Sequence, residues 1–139
     1  MENKIIVAAH GNYASGIQSA VELIAGKQEH IIYVPMYLNN EADYECLAKE
    51  LLEKYCDTHH VIVLTDLCGG SVNRMFMAQL CHYRFHLISN MNLGLLLELA
   101  LTTEPIDENL LYRLLTDQMV QGVYCNDLLK KIKKGGESI

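Results

Sequence analysis

The sequence predicts an α/β fold, a three-layer sandwich in which a mostly parallel sheet of four strands lies between helices. Two observations carry this prediction. Short runs of apolar, largely β-branched residues alternate along the chain with longer stretches whose apolar residues recur at helical spacing. Each helical stretch is long enough to cross a sheet, so successive strands join as right-handed β-α-β units. The predicted strand order is 2-1-3-4, and the sequence does not decide whether a fifth strand is added at one edge.

The first half of the chain predicts two strands, each followed by a helix. The apolar run 4–9 is typical of a strand buried on both faces, and it ends at His10. The helix after it stops at Gly26, and its inward stripe is Ile17, Ala20, Val21 and Ile24. A second strand is expected over 31–37. A helix is expected over 41–56, because acidic residues in its first turns suit the helix dipole.

The second half repeats this alternation and ends in helices. A third strand is expected over 61–65 and a fourth over 85–89. The helix between them should face inward with Val72, Met75, Phe76 and Leu80. The leucine-rich stretch 92–101 is apolar nearly all round, which predicts a helix that is buried or at a subunit interface. Residues 107–134 predict one or two further helices, with Gly122 as a break.

Length and composition exclude several classes of protein. With 139 residues the chain is expected to form a single domain over 1–139, in which 107–139 is a helical tail. No apolar run approaches the roughly 20 residues of a membrane span, and the N-terminus lacks a signal-peptide core. The net charge of −6 disfavours nucleic-acid binding. Five cysteines without a C-x-x-C pair indicate reduced thiols, so a cytoplasmic location is expected.

The predicted topology selects two polar residues as the candidate site. In the flavodoxin-like order 2-1-3-4, ligands bind beyond the carboxyl ends of strands 1 and 3, where the chain order reverses. His10 and Asp66 end those two strands. A carboxylate bonded to one imidazole nitrogen fixes the proton there and stabilises the imidazolium, which leaves the other nitrogen as a nucleophile. We therefore expect His10 and Asp66 to be catalytic.

A glycine-rich loop beside this pair suits an anion. After Asp66 the chain passes through Gly69, Gly70 and Ser71 into a helix, whose backbone N–H groups and positive dipole end favour a phosphate group. A nucleophilic histidine beside such a loop predicts phosphoryl transfer through a phosphohistidine. Neither nucleotide-binding glycine motif is present and no metal-ligand cluster is evident, so no cofactor and no metal are expected. The phosphoryl donor should then be a phosphorylated protein or small molecule.

Three segments resemble a known family. They are Ala9-His10-Gly11 with the helix to Gly26, Thr65-Asp66-Leu67-Cys68-Gly69-Gly70-Ser71, and Asn92-Leu93 followed by Leu95-Leu96-Leu97-Glu98. Together they are similar to the IIA component of mannose/fructose/sorbose-type sugar phosphotransferase systems (PTS). The resemblance implies a single IIA domain of the mannose type and a phosphotransferase component of sugar uptake. It also implies a cytoplasmic homodimer.

The resemblance assigns roles by position. It implies that His10 is phosphorylated on Nε2, that Asp66 orients it, and that Gly69, Gly70 and Ser71 face the phosphoryl group. The implied donor is the histidine phosphocarrier protein and the implied acceptor is a histidine on a IIB component. The sugar would then receive the phosphoryl group during uptake through membrane IIC and IID subunits, which are therefore indirect partners.

Two departures from the family pattern keep alternatives open. Val72 and Gly94 stand where the family usually has proline at a helix start. A regulatory or scaffolding module of the same fold, acting by protein binding with or without phosphorylation of His10, is the main alternative. A flavin-binding protein ranks lower, because Asn12-Tyr13-Ala14-Ser15 supplies only one hydroxyl to a phosphate loop. The sugar, the dimer geometry and the role of Cys68 are left open.

Overall fold

The computed structural model describes residues 1–39, 41–117 and 120–135, which form a parallel four-stranded sheet in the order β2-β1-β3-β4 with helices on both faces. The strands are β1 (Glu2–His10), β2 (Ile31–Met36), β3 (His59–Thr65) and β4 (His86–Ile88). The helices are α1 (Tyr13–Ala25), α2 (Tyr44–Tyr55), α3 (Ser71–Met77), α4 (Leu93–Ala100), α5 (Glu108–Thr116) and α6 (Cys125–Lys134). The predicted α/β class and strand order are confirmed. No fifth strand occurs within the three described ranges.

The central strand β1 explains the three-layer arrangement. Residues 5–9 are fully buried, and successive side chains of a strand point to opposite faces. Ile5 and Val7 join the core cluster that includes residues of α1, α4 and α5, whereas Ile6 and Ala8 join the cluster that includes α2 and α3. A strand that is covered on both faces carries a continuous apolar run, as the sequence indicated.

Two residues expected to face the core are exposed. Ile24 is 62% exposed; it lies in the last turn of α1, past Ala14, Ile17 and Val21, which are the buried residues of that helix. Leu80 is 45% exposed, because α3 ends at Met77 and the chain continues with tighter i→i+3 turns. In a turn of three residues, the residue that points the same way as Phe76 is Gln79, so Gln79 is buried and Leu80 is not.

The helix starts form without the two prolines of the family pattern. Val72 is buried in the first turn of α3. In α4 the Asn92 side chain caps the helix by accepting a hydrogen bond from the Leu95 backbone N–H at 2.9 Å, and Gly94 follows the first helical residue. The Asn92 side chain thus pairs one of the free backbone N–H groups at the start of α4, and α3 begins after Gly70 without a side-chain cap.

The C-terminal segment contains two helices, α5 and α6, on either side of Gly122. Residues 118–119 and 136–139 of the predicted tail lie outside the described part of the chain. Within the described ranges, none of the helices has the length and apolar character that crossing a membrane requires. The assignment of 1–139 to one domain stays a prediction.

Candidate active site

The carboxyl edge of the sheet brings the two predicted catalytic residues together. His10 is the last residue of β1, Asp66 directly follows β3, and the two strands are hydrogen-bonded neighbours. The Nδ1 atom of His10 lies 2.7 Å from Oδ2 of Asp66. The Asp66 side chain is 11% exposed and that of His10 is 40% exposed, so the carboxylate is enclosed while the imidazole reaches solvent.

Three hydrogen-bond donors surround the Asp66 carboxyl group. Besides Nδ1, Oδ2 accepts from the His10 backbone N–H at 2.8 Å, and Oδ1 accepts from the Leu67 backbone N–H at 2.9 Å. Burial alone would raise the pKa of Asp66, but the hydrogen bonds from His10 and Leu67 hold that pKa below its ordinary value. The group is therefore a carboxylate at neutral pH. Because a carboxylate only accepts, Nδ1 is the nitrogen that carries the proton in the neutral form of the imidazole, and the lone pair of that form is on Nε2.

The other imidazole nitrogen faces the glycine-rich loop. Nε2 of His10 lies 3.1 Å from Oγ of Ser71, the first residue of α3. Gly70 lies beside the ring, where an added Cβ atom would crowd the loop itself, at 3.2 Å from Cβ of Leu67, and would touch Cε1 of His10 at an ordinary 3.7 Å. The structure thus places Ser71 and Gly70 next to the reactive edge of the ring.

The loop uses part of its own hydrogen-bonding capacity to hold its shape. The Gly69 N–H donates to Oδ1 of Asn73 at 3.0 Å, and the Gly70 N–H donates to the Leu67 carbonyl at 3.1 Å. Gly69 adopts φ +76°, a conformation that glycine takes at low cost. Both of these N–H groups are therefore paired within the loop, whereas the Ser71 hydroxyl lies within hydrogen-bond distance of Nε2. A phosphate-binding role for Gly69, Gly70 and Ser71 stays a prediction.

Three residues at this edge of the sheet were not predicted from the sequence to belong to the site. Asn73 is buried, and besides accepting from Gly69 it donates from its side-chain amide to the Thr65 hydroxyl at 2.9 Å. Asn90 accepts from the Cys68 N–H at 3.2 Å. The Tyr37 ring lies 5.3 Å from the His10 ring, measured between centroids. Tyr37 follows β2 and Asn90 lies just beyond β4, so applying the carboxyl-end rule to all four strands would have found both.

Metal binding has no support in the described ranges, where no group of three or more His, Cys, Asp or Glu side chains could hold a metal ion. All five cysteines are free thiols, and Cys68 is exposed in the loop beside Asp66. The polar groups in contact at this edge are the His10 imidazole, the Asp66 carboxylate and the Ser71 hydroxyl.

Comparison with known proteins identifies the family. Residues 4–111 match the EIIA-man family, described as the PTS system fructose IIA component. The chain belongs to this family. Membership supports a phosphoryl-transfer role in a sugar PTS for this EIIA chain. A comparison with curated proteins gives no match.

Solved structures agree with the family assignment. A Klebsiella pneumoniae protein assigned as a permease of the phosphoenolpyruvate-dependent sugar PTS is 34% identical, with a TM-score of 0.80 over 93% of this chain and 95% of that one. A PTS component EIIA from Streptococcus agalactiae is 32% identical, with a TM-score of 0.68 over 82% of this chain and 90% of that one. The mannose/sorbose-specific IIA subunit from Enterococcus faecalis, at 20% identity and TM-score 0.72 over 88% and 96%, shares the fold.

Proposed function

We propose that this EIIA chain is a cytoplasmic relay that carries a phosphoryl group on Nε2 of His10. It accepts the group from the histidine phosphocarrier protein and passes it to a histidine of a IIB component, for sugar uptake through membrane IIC and IID subunits. A homodimer is the assembly we expect. The observation that carries the proposal is the 2.7 Å contact between Nδ1 of His10 and Asp66, which leaves Nε2 as the available nucleophile.

In the proposed transfer, every bond that breaks is matched by one that forms, so neither water nor another reactant is needed. The lone pair of Nε2 forms a bond to phosphorus while the phosphorus–nitrogen bond of the donor phosphohistidine breaks, and that electron pair returns to the donor nitrogen. The proton on Nδ1 stays in place, and Asp66 stabilises the positive charge that the imidazole ring gains. Asp66 contacts Nδ1, the nitrogen that is not phosphorylated, because a carboxylate facing the phosphoryl oxygens would repel them.

The loop supplies the groups that face the transferred phosphoryl. The Ser71 hydroxyl, 3.1 Å from Nε2, can rotate to donate a hydrogen bond to a phosphoryl oxygen. Gly70 leaves room for that oxygen beside the ring, and Gly69 provides the positive φ on which the loop depends. A hydrogen bond to a charged group contributes about 1.5–3 kcal/mol. Loss of the Ser71 hydroxyl should therefore slow transfer by about ten- to a hundredfold.

Labelling with purified components tests this function. Incubation with phosphoenolpyruvate, enzyme I and the phosphocarrier protein should add one acid-labile phosphoryl group, and the isolated labelled protein should lose it to IIB. His10→Ala should take up no label, whereas the matched control His82→Ala, at an exposed site after α3, should label normally. Normal labelling of His10→Ala contradicts the assignment. Labelling of the wild-type protein without transfer to IIB favours a regulatory module instead.

A further inference from the structure

Tyr37 adopts a backbone conformation that tyrosine rarely takes. It is the first residue after β2 and has φ +66°, in the left-handed region that favours glycine and asparagine. The Gly11 N–H donates to the Met36 carbonyl at 2.7 Å, which ties the end of β2 to the residue after His10. The positive φ lies next to the reactive histidine, where backbone strain is most often functional.

The strained backbone places the Tyr37 ring against the imidazole. The centroids of the Tyr37 and His10 rings are 5.3 Å apart and the planes meet at 38°, within the range of aromatic pairs. Behind it, the Tyr44 ring packs edge-on against Tyr37 at 5.2 Å, and the Tyr44 hydroxyl accepts from the Asn39 N–H at 2.9 Å. Tyr37 is held from two sides although it is 40% exposed, so core burial does not explain its conformation.

We infer that Tyr37 is a positioning residue for His10, an inference that rests on the proposed function. Asp66 fixes the imidazole through Nδ1 and Ser71 contacts its Nε2 edge, but both contacts act at the rim of the ring. Tyr37 adds a contact to the ring itself, which limits rotation of the imidazole and keeps Nε2 directed outward. The negative face of the tyrosine ring also favours the positive charge that the imidazole gains during transfer.

Substitutions at Tyr37 separate the ring from the hydroxyl and from backbone strain. Tyr37→Phe keeps the ring and should transfer at nearly the wild-type rate. Tyr37→Leu should lower the maximal rate at saturating phosphocarrier protein by about three- to tenfold. Tyr37→Asn should lose the same rate yet unfold at a higher temperature than Tyr37→Leu, because asparagine tolerates positive φ. Tyr112→Leu, at an exposed tyrosine of α5, is the matched control and should keep the wild-type rate.

Chemical phosphorylation with potassium phosphoramidate provides a readout that needs no partner protein. Phosphorus NMR then gives both the rate and the ratio of Nε2- to Nδ1-phosphohistidine at His10. Tyr37→Leu and Tyr37→Asn should slow the reaction and lower that ratio, and Tyr37→Phe should restore both. A merely structural role would leave the ratio unchanged in the folded variants.

The two assays distinguish failure of this inference from failure of the proposed function. If the phosphocarrier protein does not label the wild type, the proposed function fails, and the phosphoramidate ratios still decide the role of Tyr37. If the wild type is labelled and Tyr37→Leu matches it in maximal rate and in the Nε2 ratio, the inference is overturned. A loss in Tyr37→Phe equal to that in Tyr37→Leu also overturns it, because the hydroxyl would then be the acting group.

Discussion

Replacing Asp66 by asparagine removes the charge that faces Nδ1 of His10 while it keeps the size of the side chain. Oδ2 of Asp66 accepts two hydrogen bonds from His10 and Oδ1 accepts one from Leu67, so an amide nitrogen at either position meets an N–H donor. A hydrogen bond to a charged group contributes about 1.5–3 kcal/mol. With the side chain of Asp66 only 11% exposed, little of this is screened by solvent. We expect phosphoryl transfer to slow by about ten- to a hundredfold.

The same variant should change how stability depends on pH. The pKa of Asp66 is lower in the folded protein than its ordinary value of 3.8, so its charged form stabilises the fold. That contribution is fully present above the unfolded pKa, near pH 4, and is lost as the pH falls through the folded pKa. Asp66→Asn should therefore be less stable than the wild type at pH 7, by about 1–3 kcal/mol, with a smaller difference near pH 3.

Rapid-quench transfer from the labelled phosphocarrier protein and urea unfolding at the two pH values measure both effects. Asp107→Asn is a matched control, because Asp107 caps α5 by accepting from the Leu110 N–H at 2.8 Å, a role that asparagine can also fill. It should leave the transfer rate unchanged. A wild-type rate in Asp66→Asn refutes the reasoning about His10, and a stability difference that is the same at pH 7 and pH 3 refutes the pKa argument.

Three further predictions concern the loop and the thiols. Gly70→Ala should slow labelling several-fold, because its Cβ atom would lie 3.3 Å from the Leu67 carbonyl oxygen and would shift the loop. Gly69→Ala has open space for a Cβ atom but keeps φ +76°, so it should lose about 1–2 kcal/mol of stability in urea unfolding. Asn73→Ala should lose about 1–3 kcal/mol in the same assay, because it leaves the Gly69 N–H without its acceptor; a stable variant would contradict this. Burial and then nearby Asp57 raise the pKa of Cys56 to about 11, so iodoacetamide at pH 8 should modify Cys56 last, as peptide mass mapping would show.

Most of the fold could be predicted from the sequence, because strands and helices are indicated by residues that are close together in the chain. Alternating apolar runs identify buried parallel strands, and the right-handed connection rule orders them. The exceptions arise where helices end. Ile24 lies in the last turn of α1, past the buried residues of that helix, and the tighter turns after Met77 bury Gln79 instead of Leu80. Periodicity identifies a face of a helix, but only tertiary packing decides how far that face is covered.

The candidate site was predictable to the extent that topology defines it. His10 and Asp66 end adjacent strands, and the structure brings them to 2.7 Å. The paired N–H groups of Gly69 and Gly70 could not be foreseen, because they depend on an Asn73 side chain and on the turn itself. The position of the Tyr37 ring depends on a positive φ that no local pattern encodes, since tyrosine is an unusual residue there.

Phosphorus NMR of the protein labelled by phosphoenolpyruvate, enzyme I and the phosphocarrier protein tests the central claim most directly. In the proposed mechanism the 2.7 Å contact between Asp66 and Nδ1 makes Nε2 of His10 the nucleophile, so one Nε2-phosphohistidine signal is predicted. That signal should be absent from His10→Ala. A phosphoryl group on Nδ1, or on any residue other than His10, would contradict the account.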